Sequence, residues 1–493
     1  MPVPTAPSAA LGELARLRVL LLNWRDIRHP QSGGAEQFAH QIARRWAAAG
    51  VDVTWLTARP AGQPAREVID GVRILRAGGD LSLYLRTAAR ILRSRGAFDV
   101  VVDCQNGIPF FSPLFARTEI PVVQVIHHVH QDQFDTRFPR LVASMGRLLE
   151  GPAARRVYGS RAIAAVSPST RAEVRKRLGF TGPIHIVPNG SIHVTGLRSP
   201  RDPDPTIAVV SRLVPHKRVD LLLHHVRAVA RRIPRLRVDI VGDGTERPRL
   251  RELITDMGLH GTVTLHGYQP DEVRDALLGR AWLTTSTSVA EGWGCSIIEA
   301  AAWGVPCAAI DVPGVRDAVI DGRTGRLVGA DTDYGEALAG MLVELSDDDR
   351  ARAYARACQA WASRFSWDRS AELLAGVVVS EARRARDRSP AYGRRYADRR
   401  FARSDIGATA AFAGRAPAGL RAGLRATDEV VEVDGGVAVL LSGCDEADAA
   451  GVLRRLGVGA ATIRLARAED FLAGPDAHPR LVDLFAGAQA YSP

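Results

Sequence analysis

The sequence predicts an α/β protein built from two Rossmann-like parallel-sheet domains facing a cleft, with a small α/β appendage at the C-terminal end. Three observations carry this. Short apolar runs of four to six residues alternate with amphipathic stretches, the pattern of buried parallel strands joined by crossover helices. The alternation stops at Ser-Pro-Arg-Asp-Pro-Asp-Pro (199–205), which has linker composition, and then restarts. With 493 residues the chain is too long for one ordinary core.

In the first half, residues 17–22 read as a strand, following a loose leader over 1–16 that lacks a separate basic region and cleavage site. A glycine turn at Ser32-Gly33-Gly34-Ala35-Glu36 opens a helix over 37–49, closed by Gly50, and 51–56 is the next strand. The layout is that of a dinucleotide-binding unit, but the GxGxxG spacing is absent, which argues against NAD. Gly33 and Gly34 suit either a phosphate resting on backbone N–H groups or a tight turn requiring φ > 0. Strands follow at 72–76, 99–103, 121–126, 162–166 and 184–187, the last closed by Pro188-Asn189-Gly190. The strand 121–126 delivers His127, His128 and His130 at its carboxyl end, where open α/β sheets bind ligands. No acidic or cysteine ligand is spaced for a metal beside them, so a hydrogen-bonding role is the simpler expectation. The stretch 81–95 predicts an amphipathic helix with Leu81, Tyr84, Leu85, Ala88, Ile91 and Leu92 on one face and arginines on the others. It packs on its own sheet or contacts an acidic membrane.

In the second half the strands are 206–210, 237–241 and 263–266, followed by the stretch around which the chain is organised, 281–328. There an apolar strand ends in a Thr/Ser run, Glu291-Gly292-Trp293-Gly294 opens a helix carrying Glu299, and Gly304-Val305-Pro306 leads to a strand at 307–310. Were Glu291 and Glu299 both helical, their directions would differ by about 80°, so convergence requires a bend at the glycines. Arg212 and Lys217 follow the strand 206–210 and suit a clamp on a diphosphate, an arginine fork beside a lysine point charge. A helix closes this region over 365–385, residues 386–428 are an Arg-rich linker, and 429–493 form the appendage, with strands at 429–433 and 437–441 pairing across Asp434-Gly435-Gly436.

Composition narrows the classes. The formal charge of +11 favours anionic partners, and Cys104, Cys295, Cys307, Cys358 and Cys444 are too dispersed for a CxxC site, as expected of free thiols in a reducing compartment. No apolar run approaches the ~18 residues of a membrane span.

The combination of EGWGCSIIE over 291–299, GVPCAAIDVPGVRDAVIDGRTGRLV, SRLVPHKRVD, VGDG and VPNG resembles the retaining GT-B glycosyltransferases of the family 4 type, over residues 18–385. The resemblance implies a nucleotide-diphosphate sugar donor held mainly by the second domain and an acceptor hydroxyl held by the first. It implies that Arg212 and Lys217 neutralise the diphosphate, that Gly33 and Gly34 approach the phosphates, and that Glu299 contacts the ribose and Glu291 the sugar. Trp293, Gly294, Cys295 and Ser296 would line the sugar and phosphate pocket, and Asn189 and Gly242 belong to the matching VPNG and VGDG motifs. His127 or His128 would face the donor sugar, the choice staying open. No metal and no cofactor is expected. The acceptor stays open between lipid-linked, polysaccharide and metabolite hydroxyls, nucleic acid is not an expected partner, and the expected location is cytoplasmic, either free or in peripheral contact with an anionic membrane. A nucleotide-sugar epimerase of the same fold and a non-catalytic nucleotide-sugar binder are the competing classes.

Overall fold

The structure, a computed structural model, describes residues 9–79, 82–94, 96–159, 161–180, 182–191, 194, 200–386, 407–424, 428–433, 436–444 and 446–466. They form two compact units, one from Met1–Gly190 with Trp367–Pro493, the other Ser191–Ser366.

The first unit is built on eight strands: β1 (Arg18–Leu22), β2 (Asp52–Thr57), β3 (Arg66–Ile69), β4 (Val72–Arg76), β5 (Val100–Gln105), β6 (Val122–Ile126), β7 (Ile163–Ala165) and β8 (Ile184–Ile186). Their order is β3-β4-β2-β1-β5-β6-β7-β8, parallel except for β3. β5 and β6 are buried along their whole length because helices cover both faces. The chain leaves β1 toward β2 and later returns on its other side at β5, so the switch point lies between the carboxyl ends of β1 and β5. β3 is an addition to the expected strands. Asp70 and Gly71 sit at φ 48° and 81°, the left-handed pair of a two-residue hairpin, and turn β3 back along β4.

Helix Gly34–Ala48 buries Phe38, Ala39, Ile42, Ala43 and Trp46 on its inner stripe. Its end is held by the later helix Trp367–Arg386, whose Ala371 carbonyl accepts from the Trp46 indole N–H at 2.9 Å. The helix expected to close the second domain therefore belongs to the first unit from Trp367 onward. The expected loose leader also differs. A short helix, Ala9–Leu14, buries Leu14 and pairs Glu13 with Arg383, because a leucine and an acid one residue apart meet an apolar and a basic edge of that later helix. In helix Ser82–Arg93 the buried side chains are Leu83, Thr87 and Ile91. Leu85 and Leu92, expected on the packing face, are exposed, so the inward stripe is rotated from the one read from sequence. Leu81 and Arg95 lie outside the described residues.

The second unit has β9 (Thr206–Val210), β10 (Arg237–Val241), β11 (Val263–Gly267), β12 (Thr284–Ser286), β13 (Cys307–Ile310) and β14 (Gly325–Val328), ordered β11-β10-β9 and β12-β13-β14. A parallel bridge between Ile207 and Leu283 joins the two halves, giving the doubly wound order 3-2-1-4-5-6. The crossover helix Val219–Val229 buries Leu222, Leu223 and Val226, and the helix Tyr334–Glu344 that follows β14 buries Leu338 and Leu342, in the core of this sheet.

Beyond Arg386, residues 387–406 of the expected Arg-rich linker lie outside the described residues. The appendage begins earlier than expected, since Gly407–Ala413 is a strand (β15) whose alanines carry no linker signature but pack as core. With β16 (Glu429–Val433), β17 (Gly436–Ser442) and β18 (Thr462–Leu465) it forms an antiparallel sheet ordered β16-β17-β15-β18. Helices Leu420–Gly423 and Glu446–Arg455 complete a βαββαβ arrangement, the split-βαβ topology. Arg369 ties it to helix Trp367–Arg386 through Glu429 at 2.5 Å.

Candidate active site

In the second unit the switch point lies between β9 and β12, and the loops leaving both strands are stitched together there. The Val289 N–H donates to the His216 carbonyl at 2.9 Å, and the Thr287 hydroxyl to the Arg218 carbonyl at 2.8 Å. The loop after β10 is drawn in as well. Gly242, at φ 139°, passes so close to Ser211 that a Cβ would lie 1.9 Å from its carbonyl oxygen, so packing alone requires glycine. The loop after β13 completes the frame, with the Glu291 N–H donating to the Pro313 carbonyl at 3.0 Å.

This frame brings Lys217 and Glu291, separated by 74 residues, into direct contact: the Lys217 ammonium donates to Glu291 Oε1. The Ser288 hydroxyl donates to the same oxygen at 2.6 Å. Burial works against the charged carboxylate, but Lys217 first and then Ser288 and His216 outweigh it and hold the Glu291 pKa below its ordinary value. Both side chains are about one-sixth exposed, so the pair is half-dry yet open to a ligand. Arg212, on the same loop, is exposed and forms no ion pair with any described residue. The structure thus assembles two cations and one carboxylate at the sheet's ligand-binding edge, one cation engaged and one available.

Glu291 is not helical. The helix runs Cys295–Ala302, and Gly294 in front of it is left-handed at φ 81°, the bend that the sequence required. Cys295 and Ser296 occupy the first turn, half-buried, where backbone N–H groups lack intrahelical acceptors and no acidic side chain competes for them. Trp293 departs from expectation: it is 3% exposed and packs edge-on to Phe365 at 4.9 Å. It supports the loop from below because a buried indole removes a large apolar area from water. Glu299, one turn into the helix, is half-buried. Burial raises its pKa from 4.5 to about 7, Arg274 pulling it down and Asp275 and Asp271 pushing it up.

In the first unit, the carboxyl ends of β1, β5 and β6 form a polar row. The Asn106 amide donates to Asn23 Oδ1 at 2.7 Å, as does the Trp24 N–H at 2.9 Å, leaving the buried Asn23 Nδ2 without a described partner. The sequence signal for Asn23, a polar residue immediately after an apolar strand, was present and unused. Behind the row, the wholly buried Asp103 accepts from Ser112 Oγ at 2.6 Å and from the Tyr158 hydroxyl, bracing the loop that follows β5. His127 leans edge-on against Phe38 at 4.8 Å, and its Nε2 is buried without a described partner. Burial, with His130 adding, lowers its pKa to about 4, so it is neutral at physiological pH and hydrogen-bonds without a charge. His128 lies beside His130 instead, 5.3 Å between ring centroids. Gly33 has φ −149° and caps helix Gly34–Ala48, its N–H donating to Glu36 Oε2 at 2.7 Å. A Cβ on Gly34 would meet nothing within 4 Å. The pair is therefore not there to satisfy a left-handed turn. Asn189 is buried at the end of this unit, followed by Gly190, over which the Trp367 backbone passes. Among the described residues no group of three His, Cys, Asp or Glu is placed to hold a metal, and all five cysteines are free thiols.

A 3-2-1-4-5-6 sheet with a lysine–carboxylate pair at its switch point and a glycine-led helix beside it defines a Rossmann-like unit whose carboxyl edge is suited to an anionic ligand. Residues 32–191 match Glycosyltransferase Family 4, and residues 198–360 match Glycosyl transferases group 1. The chain belongs to these families, the GT-B glycosyltransferases. The D-inositol 3-phosphate glycosyltransferase of Nocardia farcinica is 39% identical over 180 residues, covering 35% of this chain and 39% of that protein. The GDP-mannose-dependent alpha-(1-6)-phosphatidylinositol monomannoside mannosyltransferase of Mycolicibacterium smegmatis is 34% identical over 185 residues, covering 35% and 48%. Such matches span less than half of the relatives' own length. Sucrose-phosphate synthase from Thermosynechococcus elongatus has the same fold, with a TM-score of 0.58 at 19% identity, covering 72% of this chain and 96% of that one.

Proposed function

We propose that this protein transfers a sugar, a hexose by preference, from a nucleotide-diphosphate sugar to an acceptor hydroxyl, retaining anomeric configuration and using no metal. The observation that carries the reading is the Lys217–Glu291 pair with Arg212 beside it at the switch point of the second unit. When the bond between the sugar C1 and the diphosphate breaks, its electron pair stays on the phosphate oxygen. Lys217, Arg212 and the first-turn N–H groups of Cys295 and Ser296 stabilise the charge that develops there. The acceptor oxygen bonds to C1 from the face the diphosphate leaves, and its proton passes to the departing phosphate oxygen. Glu291, kept ionised by Lys217, accepts hydrogen bonds from the donor sugar, and Glu299 from the ribose hydroxyls. His127, rather than His128, serves the sugar in this reading, since its buried Nε2 awaits a partner. The matched relatives' names, one of them GDP-mannose-dependent, support the donor class. A cytoplasmic location is part of the same proposal; no described helix is long and apolar enough to cross a membrane.

Incubation with a panel of nucleotide sugars and hydroxyl acceptors tests this. The expected result is a glycosylated acceptor with the donor's anomeric configuration. An epimerised nucleotide sugar, or binding without turnover, would overturn it. Turnover should persist in EDTA, since fixed cations already face the diphosphate; activity restored only by Mg2+ or Mn2+ would show that countercharge comes from elsewhere. Gly34→Ala should lower turnover while global stability stays within about 0.5 kcal/mol, because the added Cβ meets no atom within 4 Å. A drop in thermal midpoint with unchanged turnover would make Gly34 structural.

A further inference from the structure

One helix of the first unit carries an apolar stripe with nothing described against it. Helix Arg140–Leu148 turns Ala143 and Gly146 inward. Leu141 is 87% exposed, Met145 55%, Val142 52%, Leu148 49% and the preceding Phe138 47%. Positions 141, 142, 145 and 148 fall on one helical face, so these side chains form a continuous stripe, with Phe138 in extended backbone just before the helix and tilted against the Phe134 ring at 6.5 Å. The stripe cannot rotate inward. Gly146 lies on the buried ring of Phe134, where even a Cβ would stand 2.6 Å from Cδ1. The same ring comes within 3.6 Å of a Cβ built on Gly107, which anchors this helix near the carboxyl ends of β5 and β6.

The charge pattern says what covers it. Residues 138–149 include Arg140 and Arg147 and no acid. The next acid, Glu150, is wholly buried and accepts from the His130 N–H at 2.7 Å and from Gln131 Nε2 at 2.7 Å. Arg155 and Arg156 on the following helix are exposed. A second copy is a poor occupant, since an isologous contact would set Arg140 and Arg147 of both copies together with no carboxylate on the helix to meet them. An anionic bilayer complements both features, admitting the apolar side chains to the acyl boundary while guanidiniums lie at the phosphates. Helix Ser82–Arg93 offers less, exposing only Leu85 and Leu92, two turns apart, among Arg86, Arg90 and Arg93.

We infer that helix Arg140–Leu148 docks the first unit on an anionic phospholipid surface. This goes beyond sugar transfer and is read without it. The full chain is sedimented with vesicles of phosphatidylcholine alone and of phosphatidylcholine mixed with phosphatidylglycerol. Binding to the mixture only, weakened by salt, is expected. Leu141→Glu combined with Met145→Glu should lower partitioning by about tenfold or more, and Arg140→Gln combined with Arg147→Gln should remove the anionic preference. Circular dichroism and nucleoside diphosphate binding should be unchanged in both. Three results overturn the inference: full recovery in the supernatant with both vesicles, loss of binding only on Arg86, Arg90 and Arg93 substitution, or self-association that Leu141→Glu abolishes without any vesicle binding. Absence of transferase activity in a vesicle-binding protein would count against the proposed reaction alone.

Discussion

Lys217→Ala should lower kcat/KM by about 10²–10³, or roughly 2.7–4 kcal/mol, the range for removal of one donor from a developing oxyanion. The lysine has two jobs in the structure. It faces the edge where the leaving diphosphate would gain charge, and it holds Glu291 ionised by direct contact. Its loss removes the first and raises the pKa of a half-buried carboxylate that keeps the Ser288 hydroxyl and the weaker influence of His216. The effects of Lys217→Ala and Glu291→Gln should therefore fail to add, since each variant already breaks the shared contact. Arg212→Ala removes only the free cation and should slow turnover with stability untouched, the side chain being exposed. Wild-type kinetics in a folded Lys217→Ala protein would sink the assignment of the site.

The second large effect concerns Glu299 and pH. Only the ionised carboxylate accepts hydrogen bonds from both ribose hydroxyls, and charge-assisted bonds of this kind are worth about 1.5–3 kcal/mol. With the pKa raised to about 7, the ionised fraction falls roughly tenfold between pH 8 and pH 6. Nucleoside diphosphate affinity should fall in the same direction as pH drops. Glu299→Gln should bind more weakly at pH 8 and lose that part of the pH dependence, which separates it from the titration of the phosphate itself. Stability moves the opposite way. Between 4.5 and about 7 the folded state keeps a proton that the unfolded chain releases, so this group makes the protein less stable as pH rises through that window, and the slope disappears in Glu299→Gln. Calorimetry showing parallel pH profiles for the two proteins would return Glu299 to a structural role.

Much of this was legible in the residues. Strands β4, β9, β10 and β13 fall where short apolar runs placed them, because a buried parallel strand needs a run of apolar side chains that little else imitates. The break in pattern at 199–205 falls a few residues past the start of the second unit at Ser191, and the glycine-led loop at 291–294 follows β12. The Asp70-Gly71 hairpin and β14 were missed although the first had a local signature, since a single strand between turns carries too little periodicity to stand out. The rotation of the Ser82–Arg93 stripe was not readable, because Leu83 and Leu85 are chemically equal and only packing decides which turns inward.

The sequence by itself determined the α/β class, the two parallel-sheet halves and the residue types of the site, because periodicity and glycine placement are local. Tertiary structure alone decided which of those residues meet. Lys217 reaches Glu291 across 74 positions only because β9 and β12 are neighbours in the sheet. His127 rather than His128 stands against Phe38 because β6 places it beside the Gly34–Ala48 helix. Trp293 turns into the core because Phe365 is there to receive it. Pairings of this kind depend on strand order and on competition for one interior. Such competition is settled between distant segments, and no local pattern encodes its outcome.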